Sequence, residues 1–365
     1  MGRVLLAPDK FKGSLTAAEA AAALAAGIRA LRPGTVIRTV PVADGGDGTV
    51  AAALAAGFAR VDVPTTGPTG QPVTAAIAVR DQVAVIESAA ACGLVRLPGG
   101  VPEPLRASSA GVAPLVRAAR DAGCTRVVLG VGGSACTDGG AGLIAGLGGK
   151  LFDHGGRELP PGGEALRNLA EVDLSGVDTG LEFILACDVD NPLLGVDGAA
   201  VVFGPQKGAD PAQVEVLAKG LARWAELVGP DHVRTPGAGA AGGIGFAALA
   251  VLGARRESGV ELLLDLVGFE AELAGIDLVV TGEGSLDEQS LHGKAPIGVV
   301  EAARAAGVRA VAVAGRCQLD AGQLAGAGIA AAYPLNELEP DLRRSMDNAA
   351  ELLTRVGGRI AEEWL

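Results

Sequence analysis

Aromatic residues are scarce. Seven Phe, two Trp and one Tyr make up 3% of the 365 residues, too few to line a stacking platform for single-stranded nucleic acid. Positive charge is also short. Thirty Lys and Arg stand against 42 Asp and Glu, a formal net charge of −12, which argues against a nucleic-acid partner held by its phosphates. Local basic residues still suit a small anionic substrate. The five cysteines (Cys92, Cys124, Cys136, Cys187, Cys317) are odd in number, widely spaced and without C-x-x-C. No disulfide framework or zinc site is expected from them, and a reducing, cytoplasmic location is. The opening MGRVLLAPDK has too short an apolar run for a secretory signal. The long uncharged stretch 237–254 carries six glycines and reads poorly as a membrane span. Of the three histidines, His154, His232 and His292, none has metal-ligand spacing, and only His292 falls within a charged cluster. G-x-S-x-G, H-E-x-x-H, Walker A and protein-kinase signatures are all missing.

Glycine and small apolar residues are what the chain has in excess. There are 56 glycines in a chain that is 49% hydrophobic, against a usual glycine share of about 7%. The apolar fraction is ample for large buried cores, and the length predicts two domains, or three. Short apolar runs at 4–7, 36–40, 126–129, 183–186, 278–281, 310–314 and 329–332 read as strands. Between them lie helical patterns, among them an alanine-rich helix to about residue 30 opened by the capping box Thr16-Ala-Ala-Glu19. Further helices are expected at 110–122, 211–228, 241–252 and 295–306, and one long helix from 340. Runs at 73–79 and 83–86 read as hairpin strands. Alternating strands and helices predict an α/β fold with mostly parallel sheets, whose ligands bind beyond the carboxyl ends of strands.

The chemistry-bearing residues gather after those ends. Asp9-Lys-Phe-Lys-Gly-Ser14 places Lys10 and Lys12 in a strand-to-helix turn, which suits an anion. Asp44-Gly-Gly-Asp-Gly48 offers Asp44 and Asp47 beside glycines that let backbone N–H groups approach a ligand. Gly130-Val-Gly-Gly-Ser-Ala135 followed by Cys136-Thr-Asp-Gly-Gly140 reads as a phosphate-cradling nest, with Gly132, Gly133, Ser134 and Asp138 as its candidates. It also fits a dinucleotide G-x-G-x-x-A pattern, weakened because Thr137–Gly140 interrupts the helix that would carry the pyrophosphate. Asp188-Val-Asp190 puts two acids on one face of an extended segment, suited to Mg²⁺ or to base work on a hydroxyl. Lys207 follows in Gly204-Pro-Gln-Lys-Gly208. Gly282-Glu-Gly-Ser-Leu-Asp287, with Lys294 opening a helix, repeats the theme. Glycine nests, carboxylates and lysines without an evident nucleophile form the inventory of phosphoryl transfer.

Taken together, APDKFKGSLTA (7–17), PVADGGDGT (41–49), VGGSACTDGGAG (131–142), ACDVDNPLLGVDGAAVVFGPQKGA (186–209), GAAGGIGFA (239–247) and TGEGSLDEQSLHGKAPIGV (281–299) resemble the blocks of the bacterial type I glycerate kinases, in that family's order and over essentially the whole chain. One departure is Cys136-Thr137, where the family more usually carries Thr-Asn. The resemblance implies ATP-dependent phosphorylation of D-glycerate with Mg²⁺, 2-phosphoglycerate being favoured as product. It also implies two α/β domains, one flavodoxin-like, with the active site in the interdomain cleft. The chain order assigns 1–60 plus 291–365 to a discontinuous flavodoxin-like domain and 61–290 to the other. The expected roles are catalysis for Asp188, Asp44 and Lys10, and ATP binding for Gly132, Gly133, Ser134, Asp138, Gly282, Glu283 and Lys294. Glycerate would be held by Lys12, Asp47, Lys207 and Arg316, the last able to pair with its carboxylate bidentately, and Mg²⁺ by Asp190 and Asp287. No membrane and no nucleic-acid partner is expected, and a homodimer is the assembly entertained. The alternative from another class is a dinucleotide-dependent oxidoreductase acting on a small hydroxy acid, and a third is a non-catalytic ligand sensor.

Overall fold

A computed structural model describes residues 2–177 and 179–365; the side chain of His292 lies outside what is described. Thirteen strands are seen among the described residues: β1 (Arg3–Pro8), β2 (Val36–Thr39), β3 (Ala59–Thr66), β4 (Pro72–Arg80), β5 (Val83–Glu87), β6 (Arg126–Gly130), β7 (Lys150–Asp153), β8 (Leu169–Asp173), β9 (Glu182–Ala186), β10 (Arg255–Glu257), β11 (Leu278–Leu286), β12 (Arg309–Cys317) and β13 (Ile329–Pro334). They divide between two units, one made of Met1–Asp44, Ala51–Ala56 and Val260–Leu365, the other of Gly45–Val50 and Gly57–Gly259.

The first unit is built on a five-stranded sheet in the order β13-β12-β11-β1-β2, every pairing parallel. Counted along this unit, the order is 2-1-3-4-5, the flavodoxin-like arrangement. Side chains alternate as the pleat requires. Val4 and Leu6 of β1 join Leu24, Ile28, Leu353, Val356 and Ile360 of the helices Ala17–Leu31 and Ala349–Trp364. Leu5 and Ala7 face the opposite side with Val299, Val300 and Ala303 of the helix Ala295–Ala305. The two helices on the first side approach through glycine, since a Cβ on Gly27 would stand 1.9 Å from Thr354 O. That contact explains the small residues of the opening helix better than helix propensity does. Its capping box is formed, with the Thr16 hydroxyl accepting from Glu19 N–H and the Glu19 carboxylate accepting from Thr16 N–H.

The second unit carries a six-stranded sheet, β10-β9-β6-β5-β4-β3. It is antiparallel through β3-β4-β5 and parallel from β5 to β10. The β4–β5 hairpin turns on Asp81 and Gln82, both at positive φ (48° and 66°), the two-residue geometry whose twist matches the strands. β7 and β8 form a separate antiparallel ribbon.

Three expectations need correction. The second junction falls at Gly259–Val260, not at 290/291, because β11 lies between β1 and β12 in the first sheet. The helix expected at 241–252 is Ala240–Ala250, and its start is a left-handed run of Ala241, Gly242 and Gly243 (φ 51°, 69°, 94°). A Cβ on Gly242 would lie 2.1 Å from Cys136 O, and one on Gly243 2.6 Å from the Gly139 Cα; this segment packs backbone to backbone on the 136–140 loop. The long helix from 340 is two helices, Leu342–Asp347 and Ala349–Trp364.

Candidate active site

A parallel sheet of order 2-1-3-4-5 opens a crevice beyond the carboxyl ends of the two strands where the winding reverses. In the first unit those strands are β1 and β11. β1 ends at Pro8, and Asp9 N–H donates to Gly282 O at 2.8 Å. This draws the Asp9 carboxylate inward, to 7% exposure. Lys10 Nζ stands 3.5 Å from Asp9 Oδ1 and 3.8 Å from Asp44 Oδ1. Burial pushes the Asp9 carboxyl up to about 7, against the pull of Lys10 and with the help of Asp44. Beyond β11, Lys294 Nζ lies 3.8 Å from Glu283 Oε2 and 3.7 Å from Asp287 Oδ1. Burial raises the Glu283 carboxyl above its ordinary range, Lys294 opposing. Burial also works against the charge of Asp287, but Lys294 and the Ser290 N–H hold that carboxyl below its ordinary range. Lys10, Asp44, Glu283, Asp287 and Lys294 are thus all set around one crevice. Lys12 is exposed in the turn after Phe11. Arg316 is also exposed, lies within β12 rather than after it, and donates through Nε to Ser285 Oγ at 3.1 Å.

In the second unit the glycine loops meet at the carboxyl ends of β6 and β9. A Cβ on Gly130 would stand 2.4 Å from Gly45 O, one on Gly132 2.8 Å from the Gly46 Cα, and one on Gly133 2.4 Å from Asp47 Oδ1. The segments 45–47 and 130–133 therefore lie flat on each other, with the Asp47 carboxylate over Gly133, whose φ of +64° favours glycine. The N–H groups of Gly132, Gly133 and Ser134 have no intramolecular acceptor among the described residues, and Gly133 is exposed. That is the form of an anion-binding nest. Ser134 is buried behind it and accepts a hydrogen bond from Lys207 Nζ at 2.9 Å.

Other expected site residues are already engaged. The Asp138 carboxylate is 1% exposed. It accepts from Ser108 Oγ, Ser109 N and Oγ, Gly140 N and Gly142 N, so it knits the loop and is not offered to a nucleotide. Asp188 Oδ1 accepts from Gly259 N–H at 2.8 Å, at the start of the helix Gly259–Leu266. Asp190 is exposed and paired with Arg256 at 2.7 Å, in a different unit from Asp287. Gly282 and Glu283 are not in a loop. They are strand residues paired with Val313 and Ala314, and a Cβ on Gly282 would lie 2.2 Å from Val313 O. The Gly282 backbone is therefore part of the sheet ladder and no nest. Cys136 fills the departure noted above by turning inward. Its thiol donates to Cys92 Sγ at 3.9 Å, and this bond and burial hold it far above the ordinary thiol range, which makes it inert. Among the described residues no group of three or more His, Cys, Asp and Glu side chains is arranged to hold a metal, and no helix is long and apolar enough to cross a membrane.

The residue that sequence reasoning missed is Asp9. It was visible as the first acid after the first strand, but its burial depends on the pairing of β1 with β11.

Comparison with known proteins agrees with this chemistry. The glycerate kinase family profile matches residues 4–365. A glycerate kinase of Bacillus subtilis (strain 168) is 42% identical, with 98% of this chain and 97% of that protein covered. A glycerate 2-kinase of Escherichia coli (strain K12) is 39% identical, with 98% of each covered. A crystal structure described as glycerate kinase 2 from Salmonella typhimurium LT2 superposes with a TM-score of 0.81 at 38% identity, covering 99% of this chain and 97% of the other. The dinucleotide alternative finds no support. The helix after the 130–140 loop begins only at Ala141, too late to receive a pyrophosphate from Gly130–Ala135. The chain belongs to the glycerate kinase family.

Proposed function

We propose that this enzyme transfers the γ-phosphoryl group of ATP to the 2-hydroxyl of D-glycerate, giving 2-phosphoglycerate and ADP. The observation that carries the reading is the family match along nearly the full chain, and the name of the Escherichia coli relative supports the 2-position. Phosphoryl transfer needs a proton acceptor, a means of neutralising phosphate charge and rigid positioning. The first unit's crevice supplies the first. A carboxyl near 7 is matched to taking a proton at neutral pH, which favours Asp9, with Lys10 and Asp44 setting the local charge. As the bond from the bridging oxygen to Pγ breaks and the glycerate oxygen bonds to phosphorus, the hydroxyl proton passes to the Asp9 carboxylate. The nest at Gly132–Ser134 is assigned to an anionic group. Asp47 would accept from a substrate hydroxyl, while the exposed Lys12 and the exposed guanidinium of Arg316, whose Nε is held by Ser285 Oγ, would meet the glycerate carboxylate.

The carboxylates present fit Mg²⁺. Glu283 Oε1 is buried without a hydrogen-bond partner among the described residues, and Asp287 stands beside the same lysine. One or two carboxylates plus phosphate oxygens are what this ion usually takes from a kinase. Glu283 and Asp287 would hold it, and when bound it supplies charge neutralisation on the phosphates. Lys294 then serves the same end from the start of its helix.

The test is ATP, D-glycerate and Mg²⁺ with the purified chain, the product read by phosphorus NMR. A phosphomonoester on C2 is expected. A C3 product overturns the regiochemistry, and no turnover overturns the kinase reading. Because Asp188 caps a helix, Asp188→Asn should keep kcat within about tenfold of the parent, since the base effect of about 10²–10⁴ lies elsewhere. A loss beyond a hundredfold in a folded variant would move the proton acceptor to Asp188.

A further inference from the structure

Lys207 is a fully enclosed cation. It is 3% exposed and forms no ion pair with a carboxylate among the described residues. Its ammonium has three N–H donors. Two have acceptors, Ser134 Oγ at 2.9 Å and Cys136 O at 2.5 Å. The third has none among the described residues. Ser134 accepts from Lys207, but its own hydroxyl hydrogen likewise has no acceptor there, and Ser134 is 3% exposed. Next along the chain from Cys136, the buried Thr137 Oγ1 has no hydrogen-bond partner among the described residues. This pocket therefore holds an ammonium that touches no carboxylate, together with unused donors. A buried charge without a counter-ion in contact is costly, and burial accordingly lowers the proton affinity of this amine. Asp138, whose charge reaches this ammonium, has its oxygens taken up by Ser108, Ser109, Gly140 and Gly142 and makes no ion pair with it, and the Asp47 carboxylate lies on the other side, over Gly133. Immediately outside lie the unpaired N–H groups of the Gly132–Ser134 loop.

We propose that Lys207 and Ser134, with the backbone of Gly132–Ser134, form a binding site for an anionic oxygen carried by a substrate. The lysine is the site's counter-charge, and its bond to Ser134 Oγ directs the hydroxyl hydrogen outward as a second donor. The chemistry is shared by a phosphoryl group of ATP and the carboxylate of glycerate. The identity of those two substrates rests on the kinase reading; the existence of the anion site does not.

Binding is measured by calorimetry on the full chain with two probes, tripolyphosphate and D-glycerate, for the parent, Lys207→Met and Ser134→Ala. The parent should bind at least one probe. Lys207→Met should weaken that probe by tenfold or more, and Ser134→Ala should weaken the same probe by a smaller factor, threefold or more. Loss confined to tripolyphosphate identifies the phosphate as the guest, and loss confined to D-glycerate identifies the carboxylate. If both probes bind folded Lys207→Met within twofold of the parent, the site is overturned. Should Lys207→Met fail to fold, unchanged affinities in Ser134→Ala overturn it instead. A parent that binds neither probe overturns it as well, whereas the kinase reading stands or falls on turnover of ATP and D-glycerate alone.

Discussion

Asp9→Asn is expected to lower kcat by roughly 10²–10⁴ while making the folded chain more stable at pH 8. Both effects come from one cause. The native state holds a proton on Asp9 up to about pH 7, whereas the ordinary value is 3.8. Well below pH 3.8 the group is neutral whether folded or unfolded, and the stability it contributes is fully present. As pH rises through 7, the unfolded chain has long released the proton and the native chain must bury a carboxylate, so this contribution is lost. The shift corresponds to about 2–4 kcal/mol of native-state penalty above pH 7. Asparagine is nearly isosteric and never ionises, so the penalty disappears and denaturant midpoints at pH 8 should rise. The same substitution removes the proposed proton acceptor, so the acidic limb of the parent's kcat profile near pH 7 should vanish with the activity. Urea titrations at pH 5 and pH 8, paired with kcat across that range, check the two halves. A variant that keeps kcat within tenfold would transfer the role to Asp44, whose Oδ1 lies 3.8 Å from the same lysine.

The contrast between Asp9 and its neighbours shows what the amino-acid order can convey. Local features are legible. The capping box at Thr16–Glu19 forms, the helix Pro211–Val228 has its expected bounds, and the hairpin runs at 73–79 and 83–86 lie within β4 and β5. The motifs also fall at strand ends, as an α/β chain requires. What local pattern does not carry is pairing over long separations. The segment from 282 to 286 reads as a loop because it holds two glycines and a serine, yet β11 runs through it. Glycine is needed there because Gly282 lies against Val313 O and Gly315 against Gly284 O, a tight strand contact invisible without β12. The misplaced junction follows from the same blindness, since nothing near residue 278 reveals that its partner is Val4. Burial of single polar side chains is equally hidden. Asp138 and Asp44 each stand before Gly-Gly in the chain, but one is enclosed by five donors and the other is one-third exposed.

That enclosure makes Asp138 the site of the largest expected loss of stability. Asp138→Ala should destabilise the chain by roughly 3–5 kcal/mol, because deleting a buried acceptor leaves its donors unpaired at about 1–3 kcal/mol each, part of which relaxation recovers. The donors come from two segments. Ser108 and Ser109 precede the helix Val112–Asp121, while Gly140 and Gly142 start the turn into Ala141–Gly146. The Ser109 hydroxyl also accepts from Leu143 N–H at 2.9 Å, so losing the carboxylate frees both sides of the junction. Trp224, fully buried and donating to Gly139 O at 3.0 Å, holds the same turn from below. Its neighbours cannot close the gap, because Gly142 would place a Cβ 2.3 Å from Ser108 Oγ and so has no room to carry one. Asp138→Asn should lose less, since one oxygen still accepts, but its amide group would face donors and recover only part of the network. The measurement is a denaturant or thermal melt of both variants, followed by the KM for ATP in whichever folds. If Asp138→Ala melts with the parent and only its KM for ATP rises, the carboxylate contacts nucleotide and the knitting role is wrong. A lower melting point with KM changing only as folded protein is lost is the outcome that this geometry demands.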